Sequence, residues 1–421
     1  MRILILHRIP YHKIDYHLGI DHDRHDVYYI GTEKSLATIP ASLPCKQLLR
    51  PGIDRASDEV IAIVKSLDIT FDRVLSLSEY ELLDAARVRE ALGVSGPGVA
   101  KVEKVRDKLL MKRLVAQAGL RVPRAIALAE YEENPRIADW TGRTVLKPLD
   151  GASSEDVVVF DSPSALITAL KDHRTGVYSL DHATRASATA RFEIEEFVTG
   201  PILHFDGLVK DSRVAVVVGS RYVGTCLDYA SGMPLGSVQI DDHPVARDWV
   251  QKVVSAVEIR DGSFHLEAID HAGSLVFLEI ANRVGGADVV DTFRMRTGIH
   301  LPSCELKLLI GEDVELHTTP DSGVRYGWFV LPGHHMPRGG CHLHGSQGFV
   351  SHPWMARWNQ LAQGQPLPRH ITYQATEAPA AGVVAGPSTQ ELEQLLEDLF
   401  ASVRIESLPL DAAAWGERHA A

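Results

Sequence analysis

The chain has 421 residues, enough for two to four domains with cores of their own. Its 45% hydrophobic and 23% charged content is ordinary for a globular protein, and no apolar run is long enough to span a membrane. A net charge of −12 argues against a protein that tracks nucleic-acid phosphates, and four scattered cysteines without a C-x-x-C fit a reducing cytoplasm.

"RILIL" and "HDVYYIG" predict buried strands. "DEVIAIVKSL" predicts a helix, "FDRVLSLSE" a third strand, and "EYELLDAARVREALG" a helix stopped by Gly93. This rhythm predicts a small parallel α/β domain, with "VSGPGVA" as a linker after it. Leu109, Leu110, Leu114, Val115 and Ala118 then form a helical stripe. "GRTVLKPLDGASSEDVVVF" reads as strand, turn, strand, and Ser162 caps the helix "SPSALITAL". The segment from "RFEIEEFVTG" onward alternates in period two, as antiparallel strands do. Helices follow in "HPVARDWVQKVVSAVEI" and around a break from Gly298 to Pro302. "VRYGWFVLPG" and "HITYQATEA" are strand candidates, and "STQELEQLLEDLFASV" is a capped helix. The histidines near the N-terminus, including His7, His12, His17, His22 and His25, read as surface residues. The histidines of "GHHMPRGGCHLHG" fit no zinc spacing.

The stretch "FHLEAIDHAGSLVFLEIANRVGG" predicts a hairpin turning on Gly273. Counting outward pairs His271 with Leu275, Ile269 with Phe277 and Glu267 with Glu279. Facing carboxylates repel unless a cation lies between them, and a divalent metal that also holds phosphate oxygens would fill that place. No Walker loop, G-x-G-x-x-G, H-E-x-x-H or serine-hydrolase elbow is present. What remains is an ordered set: Lys108, Lys147, a small-residue loop, Glu195 and Glu196, the Glu pair, then Arg283, Gly285 and Gly286. Two lysines, a metal and backbone N–H groups are what phosphoryl transfer from ATP needs.

In this order, "RDKLLMKRLVAQAGLRVP", "TVLKP", "EEFVTGP", "FHLEAI" and "FLEIANRVGG" resemble the ATP-grasp superfamily, in particular its carboxylate–amine ligases that join amino acids. The resemblance implies a mixed α/β and α+β architecture. It would place a parallel pre-ATP-grasp domain over 1–98, an ATP-grasp domain over 99–318 and a small α+β domain over 319–421. It implies that ATP and Mg2+, with Mn2+ as a substitute, serve an amide-forming reaction through an acyl phosphate. Partners would be small carboxylates and amines, not nucleic acid or membrane, and a homodimer is compatible with it. Lys108, Lys147 and the loop carrying Gly151, Ser153 and Ser154 would hold phosphates. Glu195, Glu196, Phe197 and Val198 would meet adenine, partly through backbone. Glu267 and Glu279 would bind metal, and Arg283, Gly285 and Gly286 would stabilise the oxyanion.

The metal-site Asn usual in these enzymes is Ala281 here, with Asn282 one place late. The usual ribose carboxylate is Ile202, which leaves His204 or Asp206 for that role. A carboxylase-like or phosphotransferase enzyme and a non-catalytic nucleotide-binding regulator are the alternatives.

Overall fold

The computed structural model describes residues 1–182, 188–241 and 244–409. The chain opens with four parallel strands, β1 (Arg2–Leu6), β2 (Asp26–Gly31), β3 (Lys46–Leu49) and β4 (Arg73–Leu75), in the order β3-β2-β1-β4. The unbroken apolar run of β1 has a direct cause. Ile3 and Ile5 enter one core and Leu4 and Leu6 the other, so the strand is covered on both faces. The first of these cores includes Leu306 and Ile310 of the helix Leu301–Ile310, which docks this sheet onto the rest of the chain. His7, His22 and His25 are buried rather than superficial, and only His12 and His17 are exposed. His22 bridges the Ile20 carbonyl and the Tyr29 hydroxyl, each at 2.8 Å, which satisfies both of its ring nitrogens.

A four-stranded antiparallel sheet follows, built from β5 (Ala125–Ala127), β6 (Thr144–Pro148), β7 (Val158–Phe160) and β8 (Phe192–Glu196) in the order β5-β8-β6-β7. Strand alternation divides it. Thr144, Leu146 and Ile194 lie on the side of the apolar core, while Lys147, Glu193 and Glu195 project from the other.

The large sheet has eight strands: β9 (Ile202–Lys210), β10 (Arg213–Val223), β11 (Leu235–Gln239), β12 (Gly262–His271), β13 (Ser274–Ala281), β14 (Arg325–Leu331), β16 (Met355–Gln360) and β17 (Ala380–Gly386). Their order is β13-β12-β9-β10-β11-β14-β17-β16. A separate pair joins β15 (Gly340–His344) to β18 (Arg404–Leu408). The large sheet runs without a break across residue 319, because β11 pairs with β14 through Leu235–Val330 and Val238–Gly327. Residues 325–386 therefore extend this sheet. The helix Thr389–Ser402, capped by Ser388, packs Leu392, Leu396 and Leu399 beneath it. "HITYQATEA" forms no strand. Its backbone turns at Gln374, and its Thr372 carbonyl accepts the buried Tyr229 hydroxyl at 2.5 Å.

The β12–β13 hairpin reaches its Glu pair by a different route from the one the sequence predicts. Its turn is Ala272–Gly273, with φ of 52° and 82°, so His271 pairs with Ser274 and Ile269 with Val276. That two-residue turn would leave Glu267 and Glu279 out of register. A bulge at Leu278 adds one residue to β13 and restores Glu267 opposite Glu279.

Candidate active site

A cleft of about 860 Å³, counting its solvent-open mouth, lies over the open face of β12 and β13. Lys108, Gly151, Ser153, Ser154, Glu267, Glu279, Arg283 and Gly286 line it, so the structure brings these eight residues of the ordered set together. Lys108 heads the helix Lys108–Gln117, which Asp107 caps by accepting the Leu110 N–H at 2.8 Å. Its ammonium lies 3.4 Å from Glu279 and donates to the Gly151 carbonyl at 2.7 Å. Burial alone would raise the Glu279 pKa, yet Lys108, Lys147 and Lys112 together hold it down at about 2. Glu267 accepts the Tyr222 hydroxyl at 2.8 Å and faces His265 Nε2 at 3.4 Å. Two facing carboxylates that open into a cleft beside cationic side chains form a donor set that fits a hard divalent cation such as Mg2+.

The loop after β6 is held in an unusual shape. Ser153, Ser154 and Asp156 all have left-handed φ, between 55° and 60°. Turn backbone can present N–H groups to an anion, and within this loop the Glu155 and Val157 N–H groups are taken by the Ala152 and Ser154 carbonyls. Gly151 packs against Pro148, where a Cβ would fall 2.4 Å from Pro148 Cγ.

Glu79 and Arg106 are among the cleft residues not anticipated from sequence. Glu79, in the turn after β4, pairs with both Arg283 and Arg106. Arg106 is buried, donates to the Asp150 carbonyl, and has its pKa lowered by that burial to about 10. Glu79 sits in "SLSEYE", which carries no motif, and Arg106 opens "RDKLLMK" one residue before Asp107, where the pattern gives the arginine itself no role. Arg283 also donates to the Val284 carbonyl at 2.6 Å.

Six other expected residues sit differently. Lys147 does not line the cleft. It lies beneath it in a buried square with Lys112, Glu193 and Glu195, 2.8 Å from Glu195 and 3.7 Å from Glu193. Glu195 is therefore held by Lys147 and by Lys112 at 2.9 Å, and its side chain is not free for adenine. His204 is buried between Asp206 and Ser237, at 2.6 Å from each, so no ring nitrogen is left for ribose. Asp206 is itself held by His204 and His265. Asn282 turns away from the cleft and donates to the Ser263 carbonyl at 2.7 Å, since no bulge brings it round to Glu279. Gly285 underlies the site rather than lining it. A Cβ there would fall 2.6 Å from Asp206 Oδ1, so only glycine lets the chain pass over that carboxylate.

The side chains of Glu196, Phe197 and Val198 also stay out of the cleft. They line a separate pocket with Arg124, Trp140 and Arg143. Glu196 pairs with Arg124 at 2.5 Å, and the Arg143 guanidinium lies 3.8 Å from the Phe197 ring centre. Strand alternation turns Glu196 to the face opposite Lys147.

Comparison with known proteins adds an independent line. Residues 141–291 match the family described as ATP-grasp domain. Over 299 residues the chain is 25% identical to an L-arginine-specific L-amino acid ligase of Bacillus subtilis, covering 66% of this chain and 68% of that protein. The fold aligns with the crystal structure of an L-amino acid ligase from Bacillus licheniformis at a TM-score of 0.71 and 19% identity, over 97% of this chain and 98% of that one. It also aligns with phosphoribosylglycinamide synthetase from Anaerococcus prevotii at a TM-score of 0.63 and 12% identity, over 97% and 99% of the two chains. No helix among the described residues is long and apolar enough to cross a membrane.

Proposed function

Because the chain carries an ATP-grasp domain within an ATP-grasp fold, we propose that it is an ATP-dependent carboxylate–amine ligase that joins amino-acid-like substrates. The observation that carries this reading is the cleft where a facing Glu pair, Lys108 and Arg283 meet. A substrate carboxylate oxygen attacks the γ-phosphorus of ATP, and the bond to the ADP oxygen breaks. The acyl phosphate so formed is attacked at carbon by an amine. Inorganic phosphate leaves, the amine nitrogen gives up a proton, and an amide remains. No side chain needs to become covalently attached, so positioning and charge neutralisation supply the catalysis.

Lys108, with the backbone N–H groups of the loop carrying Ser153 and Ser154, holds the phosphates, and Lys147 adds positive charge toward them from the buried square beneath the cleft. Glu267 and Glu279 are the residues that would hold Mg2+, or Mn2+ in its place. A cation held there would supply charge neutralisation on the phosphoryl oxygens. Arg283 and the Gly286 backbone face the carbonyl oxygen as it becomes an oxyanion. Glu79 positions Arg283 by its ion pair, and so ties the first sheet to the chemistry. Glu196, Phe197 and Val198 meet adenine through their backbone. The proposed ATP-grasp domain spans residues 99–318, and residues on either side complete its cleft, Glu79 from the first sheet and Tyr373 from the segment that extends the large sheet.

Phosphate release from ATP, measured across amino acids supplied singly and in pairs, tests this reading. A ligase gives phosphate and an amide of matching amount only when an acid and an amine are both present. Phosphate transfer without amide identifies a phosphotransferase instead. ATP binding without turnover under any pairing identifies a regulator.

A further inference from the structure

The cleft has an end that phosphate handling does not use. Tyr222, Cys226, Leu235, Val289, Trp328 and Tyr373 line it. Leu235, Val289 and Trp328 are buried members of an apolar core cluster that extends behind the wall. Burial pushes the Cys226 thiol well above its ordinary pKa, so it stays a neutral, apolar surface. Tyr222 commits its hydroxyl to Glu267. The remaining hydroxyl, Tyr373 Oη, is buried and has no hydrogen-bond partner.

The charges around this end are already engaged. Glu79 is paired with Arg106 and Arg283, Glu279 with Lys108, and Glu267 faces Tyr222 and His265. Among the described residues lining the cleft, the carboxylates are Glu79, paired with two arginines, and Glu267 and Glu279, the candidate metal ligands, while Arg106, Lys108 and Arg283 are each paired with Glu79 or Glu279. A guanidinium entering here would have to take Glu267 from the metal or Glu79 from the arginines.

We propose that this end receives the side chain of the acid substrate, and that the acid is an amino acid with a bulky, neutral, apolar side chain. The Tyr373 hydroxyl gives the bound acid one hydrogen bond. The proposal rests on the ligase reading. The acid, rather than the amine, belongs here because Tyr222 joins this end directly to Glu267. A molecule seated in it presents its carboxylate at the Glu pair, where the γ-phosphate must arrive. An apolar wall rewards each added methylene, whereas burying an unpaired charge is strongly unfavourable.

The test is kcat/KM for each acid at saturating ATP and a fixed amine, read as amide formed. Leucine, methionine and phenylalanine should exceed arginine, lysine, aspartate and glutamate by at least about 100-fold, as expected when a charge is buried without a partner. Tyr373→Phe should raise KM for these neutral acids by roughly 3- to 10-fold, the size of one ordinary hydrogen bond, and leave KM for ATP unchanged. Cys226→Leu should raise KM for phenylalanine more than for alanine, since it shortens the apolar end. A charged acid as the best substrate overturns this proposal and leaves the ligase reading standing. Equal loss for alanine and phenylalanine in Cys226→Leu also overturns it. No amide with any acid overturns the ligase reading, and this proposal with it.

Discussion

Replacing Lys147 by Met should damage the protein in two separable ways. Lys112, Lys147, Glu193 and Glu195 form a buried square with two positive and two negative charges. Burial works to neutralise Lys147, but Glu195 and Glu193 outweigh it and hold its pKa above the ordinary lysine value. Removing that ammonium leaves two carboxylates against Lys112 alone. Breaking a buried pair in this way costs about 3–5 kcal/mol. Hydrogen exchange at the β6 and β8 amides should report it locally, with protection falling by about 10²- to 5 × 10³-fold. Adding Glu195→Gln restores charge balance, so the double variant should recover most of that protection. Nucleotide affinity should behave otherwise. Calorimetry with Mg·ADP should show weaker binding in the single variant and no recovery in the double, because a neutral amide at position 195 cannot replace a phosphate-binding cation. Full recovery of nucleotide affinity in the double variant would refute the phosphate role and leave Lys147 a structural counter-ion. Unchanged protection in Lys147→Met would refute the charge-balance argument itself.

Other outcomes follow from the same geometry. Glu279→Gln should abolish turnover while circular dichroism stays native, and near-normal turnover with Mg·ATP would remove the metal assignment. Glu305 is a buried carboxyl on the helix Leu301–Ile310, and burial raises its pKa to about 8. Between its ordinary value of 4.5 and about 8 the folded state keeps this proton and the unfolded chain has lost it, so stability should fall as pH rises through that window. The slope should be as much as about 1.4 kcal/mol per pH unit, and Glu305→Gln should flatten it in urea titrations at pH 5 to 8. An unchanged slope in that variant would assign the pH dependence to another group.

Much of the fold was legible because burial left a period in the sequence. The apolar run of β1 and the capped helix Thr389–Ser402 are examples, since packing and capping are local demands. The Glu pair was legible for a less secure reason. Counting from a three-residue turn gave the right partners, but the chain gets there with a two-residue turn and a compensating bulge. A bulge is a one-residue adjustment that composition does not reveal. Asn282 failed for the related reason that no second bulge exists to turn it inward. Glu79, Arg106 and Tyr373 were not legible because they meet in the cleft from three distant parts of the chain. The side chains of Glu195 and His204 sit on the expected strands but are taken by buried partners, and no sequence pattern reports who occupies a hydrogen bond.

The central claim is that a substrate carboxylate is phosphorylated before the amine arrives, and an oxygen label follows that step directly. With ¹⁸O in both oxygens of the acid's carboxylate, the account predicts one labelled oxygen in each phosphate released, because the attacking oxygen stays on phosphorus when the amine displaces it. The other labelled oxygen remains in the amide. Unlabelled phosphate accompanying labelled amide would contradict the acyl-phosphate route, and label found in AMP would show that the acid is activated by adenylation instead.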